Sequence, residues 1–483
     1  MSTMNHLPVA VIGAGPVGLA AAAHLLARGL AVKLYEAGET AGANVRDWGH
    51  VRLFSPWRYN LDKAAEALLA RHGWQAPCPD AFPTGAELYA RYLGPLAETP
   101  EVAAVLETRA RITAISRRGA DKVTSRDREA KPFVLSVMGA DGRVRRDLAR
   151  AVIDASGTWT NPNPLGAGGV PAEGETGLAD DLAYGVPDVL GRDRAAYAGK
   201  SVAVVGAGHS AANVLLDLAR LAEDEPGTRA TWVTRSANLV RVYGGGQADA
   251  LPARGELGAG LKALVDSGRV ALVTGFSATA VRETGAGMIL TGDTIEGERD
   301  LGPVDRIVVA TGQRPDLALT RDLRLDLDSR IESARALGPL IDPNSHSCGS
   351  VPPHGHRELS HPEPGFYTAG VKSYGRAPTF LMLTGYEQVR SIAAALAGDM
   401  ASADDVRLVL PDTGVCSSVP GGVAVESPAG CCGGDSAPAD IDARQGRDTK
   451  AEAETGPNSG CGPAKTPDPA PLPESRCSGK AAA

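Results

Sequence analysis

Two glycine-rich segments each lie between a short apolar run and a longer helix-like run. The first reads VAVIGAGPVGLAAAAHLLARG, where Gly13, Gly15 and Gly18 have the spacing G-x-G-x-x-G. The first glycine permits a tight turn, the second lets a pyrophosphate approach the backbone, and the third lets helix and strand pack closely. The helix that follows directs its N-terminal N–H groups at the phosphates, and Pro16 is included among the predicted cofactor-binding residues. The segment therefore predicts a dinucleotide-binding turn.

An acid stands at the end of the second strand of this first unit. That residue is Glu36, whose carboxylate can accept hydrogen bonds from ribose hydroxyls. A glycine pattern alone is weak evidence. Here strand, turn, helix, second strand and acid follow one another at the expected spacing, so a glycine-rich turn without a ligand is the less favoured interpretation.

The second glycine-rich segment reads SVAVVGAGHSAANVLLDLARL. The residues predicted to hold its ligand are Gly206, Gly208, His209, Ser210 and Ala211. The next strand is followed by Arg235 instead of an acid. A guanidinium pairs with an adenosine 2′-phosphate that a carboxylate would repel, so this half predicts NADPH over NADH. The alternative is that Arg235 is a solvated residue at a strand end.

Two such turns in one chain indicate two dinucleotides, and hydride transfer between a flavin and a nicotinamide follows from that pairing. Two further segments, VIDASGTW and RIVVATGQRPD, contain short apolar strands that end in small residues and Gly. A third segment, GFYTAG, precedes a predicted helix whose N-terminal N–H groups can face the flavin. Small residues let a strand pass close to a cofactor or a neighbouring chain. These segments add Gly157, Thr311, Gly312 and Gly370 to the predicted cofactor-binding residues.

Composition limits the possible partners. The chain has 483 residues, with 49 Lys and Arg against 57 Asp and Glu, so its net charge of −8 does not favour nucleic acid. No apolar run is long enough for a membrane span, and the N-terminus lacks the pattern of a signal peptide. The seven cysteines are unevenly placed, which is typical of reduced thiols. We therefore predict a cytoplasmic protein.

The alternation of apolar runs with helix-like stretches predicts an α/β fold with two Rossmann-like domains. Apolar residues at helical spacing over 61–72 and 86–98 predict surface helices that cover one side of a sheet. The predicted parts are an FAD-binding domain at 1–165 and 311–410, a connector at 166–194, an NADPH-binding domain at 195–310 and a tail at 411–483. The tail contains no Phe, Trp or Tyr and is rich in Gly, Pro, Ser and Ala. Such a segment buries too little apolar surface to offset its ordering entropy, so we predict disorder.

Over about residues 8–400 these motifs resemble flavoproteins with two dinucleotide-binding domains. The chain is similar to class B flavin monooxygenases and their thioredoxin-reductase-like relatives. Within them it resembles bacterial flavoproteins encoded beside arsenic-resistance genes, through RLFSPWRYN, GVPDVLG, KSYGRAPTFLMLTGYEQVRS and a cysteine-bearing end. The resemblance implies FAD on the first turn, NADPH on the second and an oxidoreductase activity.

The sequence departs from these families at three places. The monooxygenase fingerprint F-x-G-x-x-x-H-x-x-x-W is absent before Lys200, which leaves oxygenation open. Neither C-x-x-C nor C-x-x-x-x-C follows Glu36 or Gly208, which disfavours a dithiol relay in the body of the protein. The aspartate that usually contacts the ribityl chain is replaced by Val371, so that contact falls to Lys372 or to backbone.

Candidate catalytic residues come from two segments. The stretch WGHVRLFSPWRYN corresponds to a region that approaches the flavin ring in related proteins, so Arg52, Ser55 and Trp57 are candidates for positioning oxygen, nicotinamide or substrate. The alternative is that its aromatic residues belong to the core. The loop HSCGSVPPHGHRELSH offers the thiol of Cys348 and four histidines as ligands for a soft or borderline metal, but their spacing fits no standard zinc pattern. A loop that packs near the flavin is therefore favoured over a metal site.

Adjacent Cys431 and Cys432 in the tail can chelate a soft ion such as trivalent arsenic. The alternative is that they are incidental cysteines of a disordered tail.

Three functions remain open on the basis of the sequence. The first is a monooxygenase that acts on a small soft nucleophile with oxygen through a flavin C4a-hydroperoxide. The second is an NADPH-dependent reductase of a thiol or metalloid acceptor that uses the tail cysteines. The third is a non-catalytic metalloid-binding or redox-sensing flavoprotein. The oligomeric state is open too, with a homodimer as one option.

Overall fold

The computed structural model describes residues 6–244, 252–345, 351–378 and 380–408. The predicted tail, Cys348, Cys431 and Cys432 lie outside these described residues. The strands are β1 (Val9–Ile12), β2 (Val32–Tyr35), β3 (Leu106–Glu107), β4 (Arg111–Arg117), β5 (Phe133–Met138), β6 (Val144–Ala149), β7 (Ala151–Asp154), β8 (Leu182–Tyr184), β9 (Ser201–Val205), β10 (Arg229–Val233), β11 (Val270–Val273), β12 (Ser277–Thr284), β13 (Gly287–Thr294), β14 (Gly297–Val304), β15 (Arg306–Val309) and β16 (Phe366–Thr368).

The α-helices are α1 (Pro16–Ala27), α2 (Ala43–Asp47), α3 (Lys63–Arg71), α4 (Gly85–Leu88), α5 (Gly94–Glu98), α6 (Pro100–Ala103), α7 (Arg194–Tyr197), α8 (His209–Asp224), α9 (Val240–Tyr243), α10 (Pro252–Asp266), α11 (Gly338–Ile341), α12 (Met382–Leu396) and α13 (Met400–Asp404). Single 3-10 turns span Trp57–Tyr59, Glu175–Leu178, Ala318–Thr320 and Gly370–Tyr374, and a π-helical turn spans Tyr89–Leu93. Among the described residues, no helix is both long and apolar enough to cross a membrane.

The first sheet is parallel and has the strand order β16-β7-β1-β2-β3. Its central strands are buried on both faces, as expected for a parallel sheet, because successive side chains point to opposite sides. Val11 and Ile153 belong to the core with α1, α3 and α12, whereas Ala10 and Val152 belong to the core with the antiparallel sheet β4-β5-β6. The first glycine-rich turn follows β1, at the carboxyl end of the central strand of this sheet.

The second sheet repeats this arrangement with the order β11-β10-β9-β15-β8. Val202 and Val204 pack with α8 and α10, and Ala203 and Val205 pack with the antiparallel sheet β12-β13-β14. The repeated parallel sheet, with helices on one face, confirms the predicted α/β class with two Rossmann-like units.

Two chain crossings between the sheets run side by side. The chain leaves the first sheet after β7 and returns after β15, and Asn163 joins the two crossings. Its backbone N–H donates to the carbonyl of Gly312 at 2.9 Å, and its side-chain amide donates to the carbonyl of Thr311 at 3.1 Å. The hydroxyl of Thr311 donates back to the Asn163 carbonyl at 2.9 Å. Thr311 and Gly312 therefore lie in the paired connection between the sheets.

A proline interrupts the helix predicted over 86–98. The structure has α4, a π-helical turn and α5 in succession, and Gly94 N–H bonds to the carbonyl of Tyr89, five residues back. Pro95 has no N–H for the carbonyl of Arg91. The indole N–H of Trp74 donates to that carbonyl instead, at 2.7 Å. The wider π turn thus accommodates the proline without leaving the Arg91 carbonyl unsatisfied.

Candidate dinucleotide-binding sites

The first glycine-rich turn needs glycine at two positions for reasons internal to the chain. Gly13 has φ +91°, and a Cβ there would lie 2.8 Å from the carbonyl oxygen of Ala155. A Cβ on Gly18 would collide with the carbonyl oxygen of Gly13. These two glycines therefore permit the turn and the close packing of α1 against the sheet.

Gly15 has no such internal reason to be glycine. Its φ is −77°, which any residue adopts, and a Cβ there would find no atom within 4 Å. Gly15 is the N-cap of α1, and neither a side-chain cap nor an acidic residue occupies the first turn of that helix. The open space and the uncapped N–H groups suit the phosphates of a dinucleotide, so the residues fit that ligand.

The carboxylate of Glu36 forms hydrogen bonds with the backbone of the same turn. Its Oε2 accepts a hydrogen bond from the backbone N–H of Ala14, and its Oε1 accepts one from the N–H of Gly38, both at 2.8 Å. Each carboxylate oxygen has a second acceptor position, which leaves capacity for ribose hydroxyls. The structure thus adds a role in shaping the turn to the ribose contact predicted for Glu36.

The second turn repeats the geometry of the first. Gly206 has φ +140°, and a Cβ there would collide with the carbonyl oxygen of Ala310. Gly208 has φ −100°, a Cβ there would find no atom within 4 Å, and it is the N-cap of α8 without a side-chain cap. Ala211 is fully buried against the sheet. Gly208 is therefore the position where a second dinucleotide can approach the backbone.

Arg235 follows β10 and is exposed. One of its terminal nitrogens donates to the carbonyl of Ala167, in the connector, at 2.7 Å. A guanidinium has five N–H donors in a planar fork, so this contact fixes the side chain and leaves donors for a phosphate. The geometry is compatible with the 2′-phosphate contact predicted from the sequence.

Two other predicted glycines lie beside the first turn. Gly157 has φ +75°, and a Cβ there would contact Val371 at 3.9 Å. Gly370 has φ +74°, and a Cβ there would lie 3.3 Å from Val17, in the first turn of α1. The structure therefore brings Gly157 and Gly370 to the edge of the sheet that carries Gly13, whereas it places Thr311 and Gly312 in the crossing.

The structure separates the three catalytic candidates of the first segment. Arg52 is exposed and donates to the carbonyl of Phe82 at 2.6 Å. The hydroxyl of Ser55 is buried and donates to Oδ1 of Asn60 at 2.8 Å. Trp57 is 1% exposed, in the core with α1 and α3. This burial favours the core interpretation of Trp57 and a structural role for Ser55.

Phe54, in the same segment, makes a contact that the sequence did not indicate. Its ring lies 5.0 Å from the ring of His209, the first residue of α8. The segment thus reaches from the first sheet to the second glycine-rich turn. His209 and Ser210 start α8, where the sequence predicts a phosphate or ribose.

The described histidines of the loop before β16 do not converge. His354 approaches Gln388, His356 pairs with Asp404, and His361 accepts from the N–H of Asp326. Burial lowers the pKa of His354, which favours its neutral form. No group of three metal-ligating side chains occurs among the described residues. The loop interpretation is thereby favoured over a metal site for these histidines.

A buried ion pair beside the first turn was not predicted. Lys372 and Asp154 approach to 2.8 Å although 218 residues separate them in sequence. An aspartate that ends a buried apolar strand and a lysine two residues after TAG are the signals that could have suggested it.

Comparison with solved structures supports the fold. A bacillithiol disulfide reductase from Bacillus cereus has TM-score 0.59 and 18% identity, covering 81% of this chain and 99% of that one. A mutant flavin monooxygenase from Stenotrophomonas maltophilia has TM-score 0.53 and 21% identity, covering 81% and 98%. An FAD-bound cadaverine monooxygenase from Erwinia amylovora has TM-score 0.57 and 14% identity, covering 84% and 98%. No curated protein matched the sequence.

A family model matches residues 7–336, a range that includes both glycine-rich turns and the connection between them. Its description is pyridine nucleotide-disulphide oxidoreductase, and enzymes of this family depend on FAD and NAD(P). The prediction of an oxidoreductase with these two cofactors is confirmed. On the strength of this match and of two turns built alike, the chain belongs to the pyridine nucleotide-disulphide oxidoreductase family.

Proposed function

We propose that the chain is a monooxygenase that takes electrons from NADPH through FAD and transfers one oxygen atom to a small soft nucleophile. A thiol or a trivalent arsenical is the substrate class that the sequence favours. In the balanced reaction, NADPH, a proton, O₂ and the substrate give NADP⁺, water and the oxygenated substrate. NADPH is oxidised, one oxygen atom is reduced to water, and the other forms a bond to the substrate.

The observation that supports this proposal is that the described residues contain no pair of cysteines. A flavoprotein that reduces a disulfide by a dithiol relay needs two thiols close together. Cys78 is the one cysteine among the described residues, so no described pair can serve in such a relay. Oxygen is then the acceptor that needs no second protein thiol. Two of the compared structures are monooxygenases.

In this proposal, the first turn binds FAD and the second turn binds NADPH. The space at Gly15 and the first N–H groups of α1 hold the FAD pyrophosphate, and Glu36 receives the ribose. Gly208 and the start of α8 hold the NADPH pyrophosphate, and Arg235 receives the 2′-phosphate. When bound, FAD supplies a ring that accepts hydride and passes electrons on to an acceptor.

Rapid mixing and product analysis test the proposed reaction. In the absence of oxygen, NADPH should reduce the FAD bound to the full chain. When air is then admitted, oxygenated product should form in a 1:1 ratio to the NADPH consumed. Candidate substrates are small thiols and arsenite. If every substrate leaves only hydrogen peroxide and unchanged substrate, the monooxygenase proposal is wrong. If NADPH is hardly consumed with any acceptor, the non-catalytic alternative is favoured.

A thiol or metalloid reductase is the second candidate, because one compared structure is a disulfide reductase and most cysteines follow residue 410. Those cysteines are Cys416, Cys431, Cys432, Cys461 and Cys477. Deletion of 411–483 separates the candidates. The monooxygenase should keep its oxygenated product after deletion. A reductase would keep flavin reduction by NADPH and lose reduction of its acceptor.

Arg235→Gln should change the preference for the nicotinamide coenzyme. Without the guanidinium, the KM for NADPH should rise by about 10- to 100-fold, as expected for loss of a charge-assisted contact, while the KM for NADH stays the same. Steady-state flavin reduction with each coenzyme measures this effect. Arg229→Gln is the matched control, because Arg229 is also exposed but lies at the opposite end of β10. Equal changes with both coenzymes would contradict the assignment.

A further inference from the structure

Asp154 and Lys372 form a buried ion pair at the carboxyl ends of the strands of the first sheet. Asp154 is the last residue of β7, and Lys372 lies in the 3-10 turn Gly370–Tyr374 that follows β16. Nζ of Lys372 lies 2.8 Å from Oδ2 of Asp154, and the two side chains are 2% and 0% exposed. Neither side chain can therefore contact a ligand over an appreciable surface.

The pair is connected to the first glycine-rich turn through Ser156. Oδ1 of Asp154 accepts from both the N–H and the hydroxyl of Ser156, at 3.1 and 2.7 Å. Lys372 also donates to the Ser156 hydroxyl, at 3.0 Å. A Cβ on Gly13 would lie only 2.8 Å from Cα of Ser156, so the backbones of these two residues are in close contact. Any shift of Ser156 would thus disturb the turn at Gly13.

A second buried network holds the same 3-10 turn from its other side. Oε1 of Gln388, on α12, accepts from the N–H of Gly370 at 2.9 Å, and its amide nitrogen donates to the Ser373 hydroxyl at 3.0 Å. That nitrogen also lies 3.0 Å from Nε2 of His354, whose Nδ1 lies 3.0 Å from the Pro352 carbonyl. A neutral histidine with its proton on Nδ1 satisfies both contacts.

Val371 is the residue of this turn that remains exposed. It is 39% exposed, whereas Gly370, Lys372, Ser373 and Tyr374 are all buried. Val371 lies opposite Gly157, and together these residues form a wall beside the first turn. Because a valine side chain cannot hydrogen-bond, the polar groups of this wall are those of the backbone. Their positions depend on what fixes the two segments.

Stability alone does not explain a buried ion pair. The desolvation of two charges offsets much of their attraction, so apolar side chains of similar volume can stabilise a fold equally well. The pair also adds directional contacts. Two hydrogen bonds from Lys372, to Asp154 and to Ser156, fix the turn after β16 relative to the end of β7. Two more between Asp154 and Ser156 fix the backbone just after β7. Both segments lie beside the first glycine-rich turn, because Ser156 is close to Gly13 and Gly370 is close to Val17.

We propose that Asp154 and Lys372 are positioning residues for bound FAD. Through Ser156 and the 3-10 turn they set the separation of Gly157 and Val371, and so the shape of the wall beside the first turn, against which FAD would bind. The proposal depends on FAD binding at the first turn and is independent of whether oxygen or a thiol receives the electrons.

Three variants of the purified full chain test this role: Asp154→Asn, Lys372→Met and the double variant. Each single change leaves a buried charge without its partner, whereas the double variant contains two uncharged side chains of similar size. We expect the FAD dissociation constant, measured by flavin fluorescence, to rise at least about 10-fold in all three. We also expect the visible circular dichroism of FAD, at saturating concentration, to differ from that of the wild type.

The double variant decides the outcome even where the single variants fold poorly. If it binds FAD with the affinity of the wild type, the pair serves only the stability of the fold and the proposal is overturned. A raised dissociation constant with an unchanged visible spectrum overturns it as well, because the flavin would then be held in the same way. Arg376→Gln is the control, since it removes a partly exposed ion pair to Glu332 near the same turn and should change neither quantity.

Discussion

Gly15→Ala should greatly weaken FAD binding and leave the apo-protein folded. The protein chain itself has room for the added methyl group, because a Cβ on Gly15 would meet no protein atom within 4 Å and its φ of −77° suits alanine. In the complex, that same space is where the pyrophosphate approaches the backbone. We expect at least about a 100-fold weaker FAD affinity, equivalent to about 2.7 kcal/mol.

The measurement is a fluorescence titration with FAD, combined with thermal unfolding of the apo-protein. Gly285→Ala is the matched control, because Gly285 also has open space around its Cα and lies between β12 and β13, away from both turns. Its variant should bind FAD normally. A Gly15→Ala protein that is isolated with a full complement of FAD would refute the assignment of the first turn. A similar loss of affinity in the control would show that the effect is not local.

Features that depend on neighbours in sequence were predictable. The first turn, its helix and Glu36 lie within 28 residues of β1, so apolar runs and glycine spacing define them. The α3 helix, predicted over 61–72, is observed at Lys63–Arg71 with Asp62 as its cap. The π-helical turn was not predicted, because it depends on Pro95 and on the Trp74 indole that satisfies the carbonyl of Arg91.

Features that depend on distant parts of the chain were not predictable. Asp154 meets Lys372 only because β7 and β16 are neighbours in the sheet. The contact of Phe54 with His209 likewise requires the first sheet and the second turn to come together. Conversely, the histidines near residue 356 are close in sequence but point to different partners, since the loop contacts both α12 and α13. Closeness in sequence alone therefore does not show whether these histidines converge.

Glu363→Gln should cause the largest loss of stability among the changes considered. Glu363 is 1% exposed and accepts from Arg117 at 2.7 Å and from Arg128 at 2.8 Å, and both arginine side chains are buried as well. Its Oε2 also accepts from the N–H of Arg324 at 3.0 Å. The uncharged amide would leave two buried guanidinium groups without a counter-charge. We expect the free energy of unfolding at pH 7 to fall by about 3–5 kcal/mol.

The pH dependence of this loss gives a second readout. Burial raises the pKa of Glu363, but the hydrogen bonds from Arg128, Arg117 and the Arg324 N–H outweigh it, so the pKa is lowered. A carboxyl group with a lowered pKa in the folded state stabilises the fold above its unfolded pKa, and this stabilisation disappears as the pH falls through the folded value. The wild type and Glu363→Gln should therefore differ most near neutral pH and converge in acid.

Urea titrations of the apo-proteins, followed by far-ultraviolet circular dichroism from pH 7 down to about pH 3, measure both effects. Glu298→Gln serves as the control, because Glu298 is exposed on β14 and its loss should change stability by less than about 0.5 kcal/mol. A constant difference between wild type and Glu363→Gln across this range would mean that ionisation of Glu363 does not contribute. The two guanidinium groups would then have to be stabilised by their backbone carbonyl partners, which for Arg117 include Lys131 and for Arg128 include Asp121.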